Sequence, residues 1–353
     1  MLLKTHESIS ASTMSSPHQN GSRTFTPGTV AVVIVNWNSG QLLQSCLAAL
    51  GRQTRRPDQV VVVDNGSSDG SADGLEEAWP TVEVVRVGAN LGFAAANNRA
   101  VEALRTQWVA LLNPDTVAES EWLEALIRAA AAHPEFSMFA SRLILAADPT
   151  RLDGAGDLYY TNGLAARRDH RRPAAAAALQ AEEVFSACAA AALYEVRDFQ
   201  AQGGFDETYF CYFEDVDLAF RLRLAGHRCL YVPDAIVRHV GSAVSGARSA
   251  FTLYHGHRNL VWTFFKNMPI GLLIRYLPEH LLLNLVSIVY FASHGHARTI
   301  ARAKWHAVLG LPRIWRERRT VQASRTATAD AIRRVMNRGL ITPYRRRFRE
   351  DAD

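Results

Sequence analysis

TVAVVIVNWNSG, residues 29–40, decides the fold. Its first seven residues are a continuous, mostly β-branched run, apolar from Val30 onward, the pattern of a strand covered on both faces. Asn36-Trp37-Asn38-Ser39-Gly40 then forms a polar loop, and Leu42, Leu43, Cys46, Leu47 and Leu50 trace one face of a following helix. The pattern returns three times. Residues 59–63 run into Asp64-Asn65-Gly66-Ser67-Ser68-Asp69-Gly70. Residues 82–87 lead to Asn90-Leu91-Gly92-Phe93 and a helix through Arg105. Residues 107–112 lead to Asn113-Pro114-Asp115-Thr116 and a helix over 119–132. Strand, loop and helix in this order predict an α/β fold with a parallel sheet and helices on both faces. Every polar loop falls at the carboxyl end of its strand, where open α/β sheets bind ligands. A site drawn from Asn36, Trp37, Asn38, Asp64, Asn90 and Asp115 is therefore expected.

A second informative stretch is YFEDVDLAFRLRLAG, residues 212–226, an amphipathic helix with three carboxylates in its first turn. At 100° per residue Asp215 shares a stripe with Leu218, Ala219 and Leu222 and points inward. Glu214 and Asp217 fall near Arg221, and an i,i+4 pair is expected to hold Asp217 on a solvated side. Complementing the helix dipole accounts for Glu214 and Asp217. It leaves the inward Asp215 without a purpose, and a general base at the floor of a cleft would supply one.

The remaining segments are less regular. Residues 1–27 are rich in Ser, Thr, Pro and His, with no apolar core of a signal peptide, and read as a disordered leader of an intracellular protein. After 136–145 comes an Ala/Arg-rich stretch, 146–182, read as an insertion near the acceptor side. Residues 185–194 suit a strand or, with their many alanines, a helix. Residues 228–232 and 235–239 read as short strands ending in His239-Val240-Gly241-Ser242. Residues 28–250 thus read as one α/β unit, and 251–353 as a helical, basic C-terminal region. The apolar run 281–292 is too short to span a bilayer, and extending it to Ile270 includes Arg275, Glu279 and His280. An interfacial segment or a helix packed on the core are the two readings.

The formal net charge of +5 hides an asymmetry: residues 298–353 hold 15 Lys and Arg against 5 Asp and Glu. An anionic partner, such as a lipid surface, a lipid diphosphate or a nucleic acid, would suit that end. Interleaved aromatics and any nucleic-acid motif are absent, so nucleic acid is not expected. The four cysteines show no CxxC spacing and read as reduced, mostly buried thiols. Gly154-Ala155-Gly156 lacks a third glycine and opens no helix, so a nicotinamide enzyme is unsupported, and no P-loop is present.

Asp115 after a buried strand suits a divalent cation, magnesium or manganese, alongside diphosphate oxygens. His239 would add an imidazole and favour manganese. Asp64 is suited to accept a hydrogen bond from a pyrimidine N3–H. Each has an ordinary structural explanation by itself, since Asn-Pro-Asp is a common turn and a strand-end Asp often starts one.

Taken together, seven motifs resemble an inverting family 2 glycosyltransferase of the GT-A fold, in the branch that includes rhamnosyltransferases of cell-wall and polysaccharide assembly. They are VVIVNWN (32–38), VDNGSSDGS (63–71), NLGFAAANN (90–98), LNPD (112–115), GGFDE (203–207), YFEDVDL (212–218) and HVGS (239–242). Residues 254–269, with Arg258, Asn259 and Lys266, resemble the first C-terminal helix of that branch. The resemblance implies a nucleotide-diphospho-sugar donor bound by Asn36, Trp37, Asn38, Asp64, Asn65, Asn90, Gly92 and Asn113. It implies a metal on Asp115 and His239, with Asn113 where relatives carry the first Asp of Asp-x-Asp. Asp215 matches the catalytic base and Glu214 its acidic neighbour at the acceptor. The acceptor would be lipid-linked or a glycan, met at the inner face of the plasma membrane, with the C-terminal region in peripheral contact with anionic lipid. L-rhamnose from a dTDP donor is the expected transfer. A catalytically idle binding scaffold is the alternative, disfavoured by retention of Asp64, Asp115, Asp215 and His239 together.

Overall fold

A computed structural model of the chain describes residues 24–241 and 249–339. Most of the leader, Ser242 of the HVGS motif and the arginine-rich end lie outside these residues. The leader boundary needs correction, because the first strand already begins at Thr26.

The parallel half follows the expected order: β1 (Thr26–Asn36), α1 (Gln41–Leu50), β2 (Gln59–Asp64), α2 (Leu75–Ala78), β3 (Val82–Arg86), α3 (Phe93–Ala103) and β4 (Thr106–Leu112). Val30, Val32 and Ile34 of β1 enter one core with α1, while Ala31, Val33 and Val35 enter the other with α3. A strand that must feed two cores has no polar face, which is why its sequence does not alternate. β5 (Thr116–Ala118) and α4 (Trp122–Ala132) follow, and then β6 (Met138–Leu145).

Beyond β6 the chain departs from the expected parallel pattern. The stretch 146–182, read as an insertion, carries regular structure of its own. It contains β7 (Leu152–Ala155), β8 (Asp157–Tyr159) and β9 (Ala165–Arg167), with β8 and β9 as an antiparallel pair. Residues 185–194 are not one element. β10 (Glu182–Val184) and β11 (Ala191–Glu195) flank a loop, and α5 (Val196–Ala201) comes next. After α6 (Glu214–Leu224), the two short strands expected over 228–239 are one strand, β12 (Cys229–His239), whose pairing with β6 shifts between Val232 and Ile236. Pro233 lies in that shift, where a missing N–H is tolerated.

The main sheet runs β10-β12-β6-β11-β4-β1-β2-β3, with β5 added to β12 and β7 to β6. β1 pairs in parallel with β2 and β4, whereas β11 is antiparallel to both β4 and β6. The sheet is therefore mixed and mostly parallel.

Four helices complete the described chain: α7 (Ala250–Asn267), α8 (Ile270–Phe291), α9 (Ala297–Ala323) and α10 (Ala329–Val335). They are not an appendage. Val216, Phe220 and Leu224 of α6 share a core with Phe264 of α7 and Met268 just after it, with Leu272, Leu273 and Tyr276 of α8 and with Ile332 of α10.

Candidate active site

The carboxyl ends of β1 and β2 are tied by side chains. Asn36 is fully buried, and its Nδ2 donates to Ser67 Oγ and Ser71 Oγ, both at 3.0 Å, and to Asp64 Oδ1 at 3.4 Å. Asp64 also accepts from the Ser67 N–H, and Asn38 accepts from the Ser68 N–H at 2.8 Å. Asn65 joins the next loop: its Oδ1 accepts from the Leu91 N–H and its Nδ2 donates to Asn90 Oδ1 at 3.1 Å. Asn36, Asn38, Asp64, Asn65 and Asn90 are thus one polar lip, with Trp37 38 % exposed beside it. Gly92 has φ +87°, and a Cβ there would lie 2.6 Å from the Phe210 ring. Its role is close approach of two loops. Asn113 enters through its backbone, bonded to Ala190 O and Thr116.

Asp115 and His239 converge across β5 and β12, whose pairing sets Thr116 opposite His239. His239 Nε2 lies 3.4 Å from Asp115 Oδ1, and Nδ1 lies 2.6 Å from Asp153 Oδ2. Burial would depress the imidazole, but the two carboxylates outweigh it and raise His239 above its ordinary value. Burial would raise Asp153, yet hydrogen bonds with His170 and His239 and the Arg167 guanidinium hold it well below the carboxylate range. Among the described residues no group of three or more His, Cys, Asp and Glu converges on one point. One carboxylate and one imidazole suit a cation that shares its remaining positions with diphosphate oxygens and water. A carboxylate on the far nitrogen of the histidine is the usual means of orienting such a ring.

The acidic helix start corrects part of the expectation. Asp215 is inward and partly buried, with Oδ2 accepting from the Ala189 N–H at 3.0 Å and Oδ1 from the Val216 N–H at 2.8 Å. Burial raises it, opposed by those two N–H groups and by Arg167. Asp217 does pair with Arg221, at 2.9 Å, but not on a solvated side: it is fully buried and also meets Lys266 Nζ at 2.8 Å. Glu214 does not reach Arg221. It is 5 % exposed, its Oε2 has no hydrogen-bond partner among the described residues, and burial with the neighbouring Asp215 charge raises it well above the usual range. The apolar stripe of Leu218, Ala219 and Leu222 on α6 does enter the core beneath the sheet. The C-terminal helices cover the other side of α6, which periodicity within one helix does not reveal.

Three residues of this region were not anticipated. Asp153 orients His239, and Arg167 pairs with Asp153. Asp157 is buried, accepts from Ser186 Oγ at 3.2 Å and is pushed up to about 8 by burial and by the Asp215 charge. Their signal was the Asp-Gly-Ala-Gly-Asp run at 153–157, two acids at even spacing about paired glycines. Gly156, at φ +77°, would drive a Cβ within 2.7 Å of Val184.

Comparison with known proteins places this geometry. The model of a "Glycosyltransferase like family 2" matches residues 27–258. An N-acetylglucosaminyl-diphospho-decaprenol L-rhamnosyltransferase of Mycobacterium tuberculosis is 32 % identical over 259 residues, 65 % of this chain and 81 % of that protein. A pre-mycofactocin glycosyltransferase of the same species is 31 % identical over 213 residues, 60 % of this chain and 42 % of its own length. Among solved structures, GalNAc-T7 with UDP, GalNAc and Mn2+ superposes with a TM-score of 0.56 at 16 % identity, covering 67 % of this chain and 48 % of that one. A mannosyltransferase of Pyrobaculum calidifontis with GDP-Man and Mn2+ gives 0.50 at 19 % identity, covering 84 % of each. The mixed sheet with polar strand ends, the match over 27–258 and these relatives lead to one conclusion: the chain belongs to the family 2 glycosyltransferases, in the rhamnosyltransferase-like branch, and is an enzyme with the GT-A fold.

Proposed function

We propose that this glycosyltransferase moves L-rhamnose from a dTDP donor to a lipid-linked acceptor at the inner face of the plasma membrane, with inversion at the anomeric carbon, in assembly of a cell-wall or surface polysaccharide. The observation that carries the reading is the run of charged groups from Asp115 through His239, Asp153 and Arg167 to Asp157 and Asp215. It runs from the cation-binding candidates through β7, β8 and β9 to the base candidate on α6, which supports one shared site. The rhamnosyl donor and lipid-linked acceptor rest on the 32 % identical relative.

In this reading Asp64 meets the base of the nucleotide, and the lip formed by Asn36, Trp37, Asn38, Asn65, Asn90 and Gly92, with Asn113, bounds the donor. Asp115 and His239 would hold a manganese or magnesium ion, which when bound offsets charge on the departing diphosphate. Asp215 keeps a free lone pair on each oxygen after its two backbone bonds, enough to take the proton of an acceptor hydroxyl. Attack from the face opposite the leaving group inverts the centre. Glu214 lies beside it, buried, with its carboxyl held above the usual range by burial and the Asp215 charge.

The donor is tested by thermal shift with a panel of nucleotide sugars and Mn2+. At about 100 times its Kd a ligand adds about 2.7 kcal/mol. dTDP-rhamnose should raise the melting temperature by several degrees more than UDP- or GDP-sugars. A larger shift with either of those overturns the donor assignment.

The membrane contact is supported by the outer face of α8. Ile274, Leu281, Leu285 and Val289 are each more than half exposed, as are Trp305 and Leu309 of α9. The stretch Ile270–Ala323 contains a window apolar enough to cross a bilayer by length and composition. The inner face of α8 is tied down instead: His280 bonds to Asn162 O at 2.8 Å and Glu279 accepts from Thr161. An outward apolar stripe beside exposed Arg298, Arg302 and Arg316 fits a helix lying on an anionic lipid surface. The full chain should float with phosphatidylglycerol vesicles, and Leu285→Glu with Val289→Glu should cut the bound fraction about tenfold. Equal flotation of the double variant would sink the contact.

A further inference from the structure

We infer that Asn259 of α7 is a positioning residue for the transfer step, holding the strained turn that aims Asp215. The inference rests on Asp215 being the base, and it extends the site into the C-terminal helices.

Three residues before α6 have positive φ and none is glycine: Phe210 (66°), Tyr212 (67°) and Phe213 (70°). Phe210, with ψ −60°, is the centre of a γ-turn closed by the Cys211 N–H on Tyr209 O at 2.8 Å. That is the rarer, strained form of the turn. Such conformations are unfavourable and persist where the surroundings over-determine them. Phe213 then serves as the N-cap of α6, with its carbonyl accepting the Asp217 N–H at 2.8 Å. The direction in which Asp215 leaves the helix is therefore set by these backbone angles.

The turn is held by its carbonyl oxygens. Fully buried Asn259 donates through Nδ2 to Tyr209 O and Cys211 O, both at 3.0 Å, and to Tyr212 O at 2.7 Å. Arg258 adds bonds to Thr208 O at 3.0 Å and Tyr209 O at 2.9 Å. On the donor side the Ala94 N–H bonds to Phe210 O at 3.2 Å, beside the close approach of Gly92. One amide on α7 thus gathers the three carbonyls that immediately precede the positive-φ residues Phe210, Tyr212 and Phe213. A relaxed turn would rotate the start of α6 and move the Asp215 carboxylate off the acceptor hydroxyl. Misplacement by about 1 Å costs on the order of a hundredfold in rate.

The test crosses shape against donation. Asn259→Leu keeps bulk and loses every N–H, whereas Asn259→Ser loses bulk and keeps one donor. Positioning through hydrogen bonds predicts that the Leu variant loses about a hundredfold in kcat and the Ser variant clearly less. Affinity for dTDP with Mn2+, measured by calorimetry, should stay within about twofold in both, since Asp64 and Asp115 stand on strand ends that Asn259 does not contact. Equal kcat in the two, or a faster Leu variant, overturns the inference, because packing alone would favour the bulkier residue. Should the Asn259 variants fail to fold, Arg258→Met removes the two outer bonds while keeping the stem. It should lower kcat several-fold with dTDP affinity unchanged, and an unchanged kcat there overturns the proposal. If Asp215→Asn remains active, the base assignment fails; if that variant is dead and Asn259→Leu is normal, only the positioning role fails.

Discussion

Asp215→Asn should abolish sugar transfer while leaving nucleotide binding within about twofold. General-base contributions are roughly 10²–10⁴ in rate, so turnover should fall by at least the lower figure. The substitution keeps the shape of the side chain and an oxygen for a backbone N–H, so α6 still starts at the same place. The donor side is built from different elements: Asp64 ends β2, and Asp115 precedes β5. The pH dependence carries a sign. Burial raises Asp215 above the ordinary carboxylate value, so kcat falls as pH drops through that raised value. The acid limb of wild-type kcat therefore lies above the ordinary Asp value of about 3.9. Asp157 is raised in the same way, by burial and by the Asp215 charge, so the two neighbouring carboxyls titrate as a pair. Unchanged turnover of the Asn variant would remove Asp215 from the role.

The parallel half of the fold was legible because a strand that feeds two cores announces itself. Val30 to Val35 are all buried, and such a run has no other use in a chain with polar loops on either side. The polar lip was legible for a related reason. Asn36, Asp64 and Asn90 each follow an apolar run, and a shared sheet edge brings strand ends together. What stayed hidden depends on partners distant in sequence. Asp153 and Arg167 sit in an Ala/Arg-rich stretch with no periodicity, and their meaning comes from His239, far along the chain. Asp217 was placed in solvent because the Arg221 pair is visible within one helix, whereas Lys266 and Asn267 arrive from α7. Asn259 shows the same limit, since its three acceptors are main-chain carbonyls with no side-chain signature.

Lys266→Met should destabilise the protein by about 3–5 kcal/mol, the usual cost of removing one partner from a buried ion pair. Lys266 is 2 % exposed, and its Nζ lies 2.8 Å from both Asp206 Oδ2 and Asp217 Oδ1. Methionine preserves the stem's packing near Tyr209 and removes only the charge and its hydrogen bonds. Two carboxylates would then share Arg221, Asn267, Thr208 and the Tyr209 hydroxyl in place of a cation between them. The melting temperature should drop by roughly 4–7 °C. Adding Asp217→Asn should recover part of that loss, because Arg221 keeps its bonds to Gln202 O and Gly204 O and one unbalanced charge is gone. An interaction term of about 0.5–3 kcal/mol is expected in the double-mutant cycle. Burial raises Asp206, but Lys266 outweighs it and holds the carboxyl well below its ordinary value. That stabilisation is present above the unfolded carboxylate pKa and fades as pH falls through the lower folded value. The gap between wild type and Lys266→Met should therefore narrow in acid. A variant that melts with wild type at pH 7, or a loss unchanged by Asp217→Asn, would show that α7 is joined to α6 by apolar packing alone.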